Sequence, residues 1–161
     1  MKESNFKIYS ASAGSGKTYA LAKAYLKLLL SNDASVKFRQ ILAITFTNKA
    51  VEEMKTRILD NLYAFGQDTV PKKQQTLFQS LCDELHLTEE QLRQRSQLIL
   101  KRILHNYSFF EISTIDKFNH KIIKTFARDL HLSQNFEVEL NLDLLLEEVD
   151  WHLAVVSRHP R

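Results

Sequence analysis

Ala11-Ser12-Ala13-Gly14-Ser15-Gly16-Lys17-Thr18 is the stretch on which the reading of this chain turns. Only three glycines occur in 161 residues, and two of them are Gly14 and Gly16. Glycine is costly inside helices and strands, so a glycine-poor chain that concentrates it marks an unusual backbone. The last three residues, Gly16-Lys17-Thr18, match the end of the Walker A pattern, with alanine where its first glycine often stands. Small residues let consecutive N–H groups curl around a phosphate, and a helix beginning at the loop turns its positive end to the same anion. In that arrangement Lys17 bridges the β- and γ-phosphates of ATP, and the Thr18 hydroxyl is a ligand of Mg2+. A glycine-rich turn that happens to precede a lysine is the bland alternative. The flanks favour the phosphate loop: Phe6 to Ser10 alternate like a short strand, and Lys17 to Leu30 read as a helix. Leu21, Ala24, Tyr25, Leu28 and Leu29 are the expected inner face of that helix, which Ser31-Asn32-Asp33 ends.

Working outward, Ile41 to Ile44 is an apolar run of the kind seen in a parallel strand covered on both faces. Thr47-Asn48 can cap a helix over about 49–64, with Val51, Met54, Ile58, Leu59 and Leu62 inward. Gly66 to Pro71 is a break, and 72–107 reads as wholly helical. Within it, Thr88-Glu89-Glu90-Gln91 fits a capping box, followed by Leu92, Ile99, Leu100, Ile103 and Leu104 at helical spacing. Phe109 to Thr114 returns to strand, and Asp116 to Asp129 to helix, with Phe118, Ile122, Ile123 and Phe126 inward. From Leu140 the pattern is helical and acidic. Strands alternating with helices imply an α/β fold: a parallel sheet with helices on both faces. Three strands are fewer than a doubly wound domain carries, so the sheet reads as incomplete at its C-terminal side, with a helical insertion at 66–107.

Composition sets outer limits. Hydrophobic residues make up 44% and charged ones 25%, the balance of an ordinary globular domain. No apolar run reaches the ~18 residues of a membrane span, and Met1 to Asn5 lack the apolar core of a signal peptide. Cys82 is the single cysteine, which excludes an intramolecular disulfide and suits packing in the helical segment; a cytoplasmic setting is expected. The net charge of +3 divides as +5 over residues 1–65, +2 over 66–135 and −4 over 136–161. A basic front end suits an anionic ligand, yet an excess this small equally describes a solvated surface.

Two further segments give the chain a family resemblance. Ile41 to Ile58, ILAITFTNKAVEEMKTRI, resembles motif Ia of the UvrD/Rep superfamily of helicases. Residues 8–30, IYSASAGSGKTYALAKAYLKLLL, are similar to the RecB and AddA branch, the helicase-nucleases of recombination repair, which favours an aromatic at the position of Tyr19. Ile112 to Phe118 resembles that branch's TIHGFC segment, with Asp116 in place of histidine and Asn119 in place of cysteine. Asp129 to Phe136 also looks like the branch.

The resemblance implies a RecA-like P-loop NTPase fold. Residues 1–161 would be the N-terminal part of a UvrD-like helicase ATP-binding domain, with motifs at 11–18, 41–58 and 111–119. It implies that Ala11 to Tyr19 bind ATP, and that Thr45, Phe46, Thr47, Asn48, Lys49, Arg57, Thr114, Asp116 and Phe118 contact single-stranded DNA. Expectations of the same kind are a nuclease in the parent protein and a helicase-nuclease partner subunit. The residues themselves leave alternatives open. Thr47 and Phe46 also suit a capped helix start with a buried phenylalanine, Phe118 suits core packing, and Arg57 suits a helix-surface cation. His120 and His131 read as surface or packing residues.

Hydrolysis needs a Walker B acidic pair on a buried strand. Leu144-Leu145-Leu146-Glu147-Glu148 resembles one, but Leu142, Leu145, Leu146 and Val149 are helically spaced. With no second motor domain in sight, the expectation is a helicase fragment that binds its ligands and is inactive as a motor alone. Two other classes compete with it. One is a non-catalytic DNA- or partner-binding module with a vestigial loop. The other is a small P-loop NTPase or kinase, which would require a catalytic acid and a basic lid.

Overall fold

The computed structural model describes Ile8, residues 16–31 and residues 37–131. Two compact units divide the chain, one ending at Ile115 and the other beginning at Asp116. The first unit opens with α1 (Lys17–Leu30) and a 3-10 turn (Lys37–Gln40), followed by β1 (Ala43–Thr45) and α2 (Asn48–Phe65). It continues with α3 (Lys72–Leu85), α4 (Glu89–His105), a second 3-10 turn (Tyr107–Phe109) and β2 (Ile112–Thr114). The two strands pair in parallel, with Ala43, Ile44 and Thr45 opposite Ile112, Ser113 and Thr114. Parallel neighbours need a long crossover, and α2, α3 and α4 supply it.

α2 is the element around which the first unit packs. Thr47, in extended conformation, accepts a hydrogen bond from the Ala50 N–H at 3.1 Å and so starts the helix where the sequence indicates. Val51, Met54, Ile58 and Leu62 are buried as expected, and Leu59 is partly buried. Asn61, Ala64 and Phe65 complete the buried face. The Phe65 and Phe78 rings meet at 5.3 Å, joining α2 to α3. Gly66 ends α2 beneath α4: an added Cβ would stand 2.8 Å from Gln97 Cγ, and the Gln97 amide donates to the Gly66 carbonyl at 2.6 Å.

Several expectations need correction. The stretch 72–107 is two helices, because His86 adopts a left-handed conformation (φ 54°) and a fresh N-terminus forms at Thr88. The capping box there is complete, with the Gln91 N–H donating to the Thr88 hydroxyl and the Thr88 N–H to the Gln91 side chain. In α1 the buried face is Ala22, Tyr25, Leu26, Leu29 and Leu30, while Leu21 and Leu28 are exposed. The shift follows from α3. Lys23 and Lys27 both reach Glu84 across the α1–α3 contact, at 2.6 and 2.8 Å, which rotates the lysine side of α1 toward its neighbour.

β1 lies two residues later than the apolar run, and Leu42 and Ile44 are exposed rather than covered on both faces. Phe109 belongs to a 3-10 turn, so β2 is shorter than the expected strand. Leu104 is exposed. The expected strand at Phe6 to Ser10 falls outside the described residues, apart from Ile8, which is exposed and not in a strand.

The second unit contributes α5 (Ile115–Thr125), which starts within the last residue of the first. It stops four residues short of Asp129. Phe118 and Ile123 are half-buried, but Ile122 and Phe126 are exposed rather than inward. His120 and His131 are exposed. The acidic segment from Leu140, with Glu147 and Glu148, lies outside the described residues.

The Glu84 cluster has a pH signature. Hydrogen bonds from Lys23 and Lys27 pull its carboxyl from the ordinary 4.5 down to about 2. A depressed carboxyl contributes stability above its unfolded pKa and loses it as pH falls through the folded one. The melting temperatures of the wild type and Glu84→Gln should therefore differ at neutral pH and converge between pH 4.5 and about 2. The group is about a third exposed, so the difference at neutral pH should stay within about 1 kcal/mol.

Candidate functional site

Gly16 takes a left-handed backbone (φ 82°, ψ 18°) and is the N-cap of α1, with its carbonyl accepting the Ala20 N–H at 2.9 Å. A Cβ built there meets nothing within 4 Å, so the demand for glycine is conformational, not spatial. No side chain caps this helix start and no acidic residue sits in its first turn. Lys17, Thr18 and Tyr19 are all exposed there. An uncapped 14-residue helix N-terminus with a lysine and a threonine in its first turn fits the phosphates and the metal of a Mg2+–nucleotide. Ala11 to Ser15 lie outside the described residues.

The corner between β1 and α2 sits at the carboxyl end of a parallel strand, where α/β sheets gather their ligands. Phe46 is 87% exposed there, with the exposed Asn48 and Lys49 beside it. The alternative of a buried phenylalanine at this corner is therefore excluded. The two threonines serve the backbone first. Thr45 donates its hydroxyl to the Thr47 carbonyl at 3.2 Å, and the Thr47 hydroxyl accepts from Ala50. What the corner offers to solvent is an aromatic ring, an amide and an ammonium group.

The remaining residues named from sequence are not all brought to this corner. Thr114 faces Thr45 in the sheet but is only 5% exposed. Asp116 is exposed and Phe118 half-buried, both on α5 in the second unit. Arg57 is exposed on α2, nine residues beyond Asn48, or roughly 14 Å along the helix. It lines a cleft of about 620 Å3 shared by Tyr19, Glu52, Asp60, Lys73 and Gln74. That cleft links the first turn of α1 to α2 and to the start of α3. The reading from sequence missed Lys73 and Gln74, whose signal is the Lys72-Lys73 pair directly after Pro71.

Other chemistry finds no support. Among the described residues no group of His, Cys, Asp or Glu could hold a metal ion, and no helix is long and apolar enough to cross a membrane. Burial, with Glu89 and Asp83 nearby, pushes the Cys82 thiol up, as suits a packing residue.

Paired parallel strands, each running directly into a helix, put the first unit in the α/β class. The chain belongs to the family described as the UvrD/REP helicase N-terminal domain, whose model matches residues 2–156. It is 33% identical over 150 residues to the RecB component of the RecBCD enzyme of Haemophilus influenzae, covering 84% of this chain and 12% of that protein. It is 30% identical over 141 residues to the RecB of Buchnera aphidicola, covering 83% of this chain and 11% of that one. The ATP-dependent DNA helicase UvrD1 of Mycobacterium leprae is 36% identical over 102 residues, 63% of this chain and 12% of the relative. The chain thus spans about a tenth of the length of these relatives. No solved structure matches it.

Proposed function

We propose that this chain is the ATP-binding and single-strand-contacting N-terminal segment of an ATP-dependent DNA helicase of repair or recombination. The observation that carries the reading is the exposed corner Phe46–Lys49 at the carboxyl end of β1, on a unit whose α1 begins with Gly16-Lys17-Thr18. Backbone N–H groups of residues 14–18 hold the nucleotide phosphates, Lys17 neutralises their charge, and Thr18 is a ligand of Mg2+. The bound Mg2+ would stabilise charge developing on the phosphates. At the corner, Phe46 stacks a base while Asn48 and Lys49 hold sugar and phosphate. Arg57, on the cleft that Tyr19 also lines, belongs with the nucleotide side rather than with the corner. Asp116 and Phe118 are a separate DNA contact on α5. The α3–α4 pair is an insertion within the motor domain. The names of the relatives also support a helicase-nuclease parent that works with a partner subunit.

The test of the corner is an equilibrium titration of a labelled single-stranded oligonucleotide against wild type and Phe46→Ala. Stacking on one aromatic is worth about 1–3 kcal/mol, so affinity should fall roughly 5- to 150-fold. An 87% exposed ring contributes little to folding, so the melting temperature should hold. Unchanged affinity would remove the corner from the DNA path.

A further inference from the structure

The 3-10 turns that precede β1 and β2 lie at the amino ends of the strands, the edge opposite the Phe46 corner. They carry a cluster of cations and aromatics that the proposed function does not use. The Arg39 guanidinium lies 4.4 Å from the centre of the Phe109 ring and donates to the Asn106 side chain at 2.9 Å. The Lys55 ammonium, from α2, stands 5.2 Å from the Tyr107 ring centre. Tyr107 is 45% and Phe109 50% exposed, so about half of each residue stays in water despite its cation. Both are held on a firm base. The Tyr107 ring packs edge-on at 5.9 Å against Phe110, which is 2% exposed and packs in turn against Tyr25 of α1.

The charge around the cluster is of one sign along the chain. Gln91 to Phe110 hold Arg93, Arg95, Lys101 and Arg102 and no aspartate or glutamate. Arg93 leans on Glu90, and Arg95 caps the Leu30 carbonyl of α1 at 2.8 Å. Arg102 and His105 remain in the last turn of α4, directly before Tyr107.

A ring with a guanidinium on one face, beside a second ring with an ammonium, serves an intramolecular staple poorly while half of each ring is in water. It suits a polyanion with flat, stackable groups: the guanidinium stacks a base on its outer face, and both cations reach phosphate. We infer that Arg39, Lys55, Tyr107 and Phe109 form a second contact surface for single-stranded nucleic acid, separate from the Phe46 corner. The inference shares the class of ligand with the proposed function but rests on different residues.

The two edges are separated by the length of a strand and by the seven α2 residues from Asn48 to Lys55, roughly 10 Å in either measure. A short strand can engage one edge alone, and a long one both. The experiment is fluorescence anisotropy with oligothymidines of about 8 and about 30 nucleotides, bracketing the usual range of single-strand site sizes. Wild type, Arg39→Gln, Lys55→Gln, Phe109→Ala and Phe46→Ala are compared at several salt concentrations. Each of the first three variants should bind the long strand roughly 3- to 30-fold more weakly. In each cation variant the slope of log K against log salt should fall by about 0.7. All three should leave binding of the short strand nearly unchanged.

Lys55→Gln touches neither Asn106 nor the end of α4, so it keeps the test valid if Arg39→Gln disturbs that turn. Long-strand affinity and salt slope unmoved by Lys55→Gln and Phe109→Ala would overturn the inference, and so would equal losses on both lengths. A silent Phe46→Ala beside weakened platform variants would instead sink the corner reading and leave this surface standing.

Discussion

Replacing Phe65 by alanine should cost about 3–5 kcal/mol, the usual range for truncating a fully buried phenylalanine. Phe65 is completely buried at the end of α2, and its ring meets Phe78 of α3 at 5.3 Å. A domain of ordinary stability holds about 5–15 kcal/mol in total, so the variant should melt on the order of 10 °C lower. The control sits two residues away. Tyr63 is 62% exposed, and Tyr63→Ala should stay within about 0.5 kcal/mol of wild type. Thermal melts of the two variants therefore check that α2 presents its Phe65 side to the core, and hence that its N-terminus points Phe46 and Lys49 outward. Equal losses would mean that the helix is rotated from the position described.

The second large effect concerns Lys17→Ala. A charge-assisted hydrogen bond from lysine to phosphate contributes about 1.5–3 kcal/mol, so binding of a fluorescent Mg2+–ATP analogue should weaken roughly 10- to 150-fold. Lys17 is exposed in the first turn of α1, and its removal should leave the melting temperature near wild type. That combination separates a ligand contact from a structural one. An affinity unchanged within twofold would favour the vestigial-loop module over the helicase reading.

How legible these features were in the sequence differs from element to element, for physical reasons. α2 could be read because its cap, its apolar spacing and its polar outer positions agree, and a helix with consistent local signals has one way to pack. α1 could be read in length but not in orientation. Nearly every residue in KTYALAKAYLKLLL is apolar or lysine, so several faces look alike, and the clasp of Lys23 and Lys27 on Glu84 decides among them. The division of 72–107 was half visible. The capping box at Thr88 announces a new helix, but the turn before it uses His86 in a left-handed conformation that usually calls for glycine or asparagine.

At the candidate site, the special backbone at Gly16 and the outward corner at Phe46 follow from local signals, glycine at a helix start and threonine at a cap. The burial of Thr114 and the separation of Arg57 from the corner depend on tertiary packing, which residue order does not encode locally. Arg39 and Phe109 are seventy residues apart in the chain and meet only because β1 and β2 are parallel neighbours, so no local pattern could pair them.

The central claim is that nucleic acid lies across the β1–α2 corner. Photo-crosslinking of single-stranded DNA carrying 5-iodouracil, followed by tryptic mapping, tests it without a substitution. The account predicts a crosslink in the peptide from Gln40 to Lys49, which contains Phe46, and its loss when excess unlabelled strand is added. Crosslinks confined to other peptides, with Gln40 to Lys49 unmodified, would contradict it.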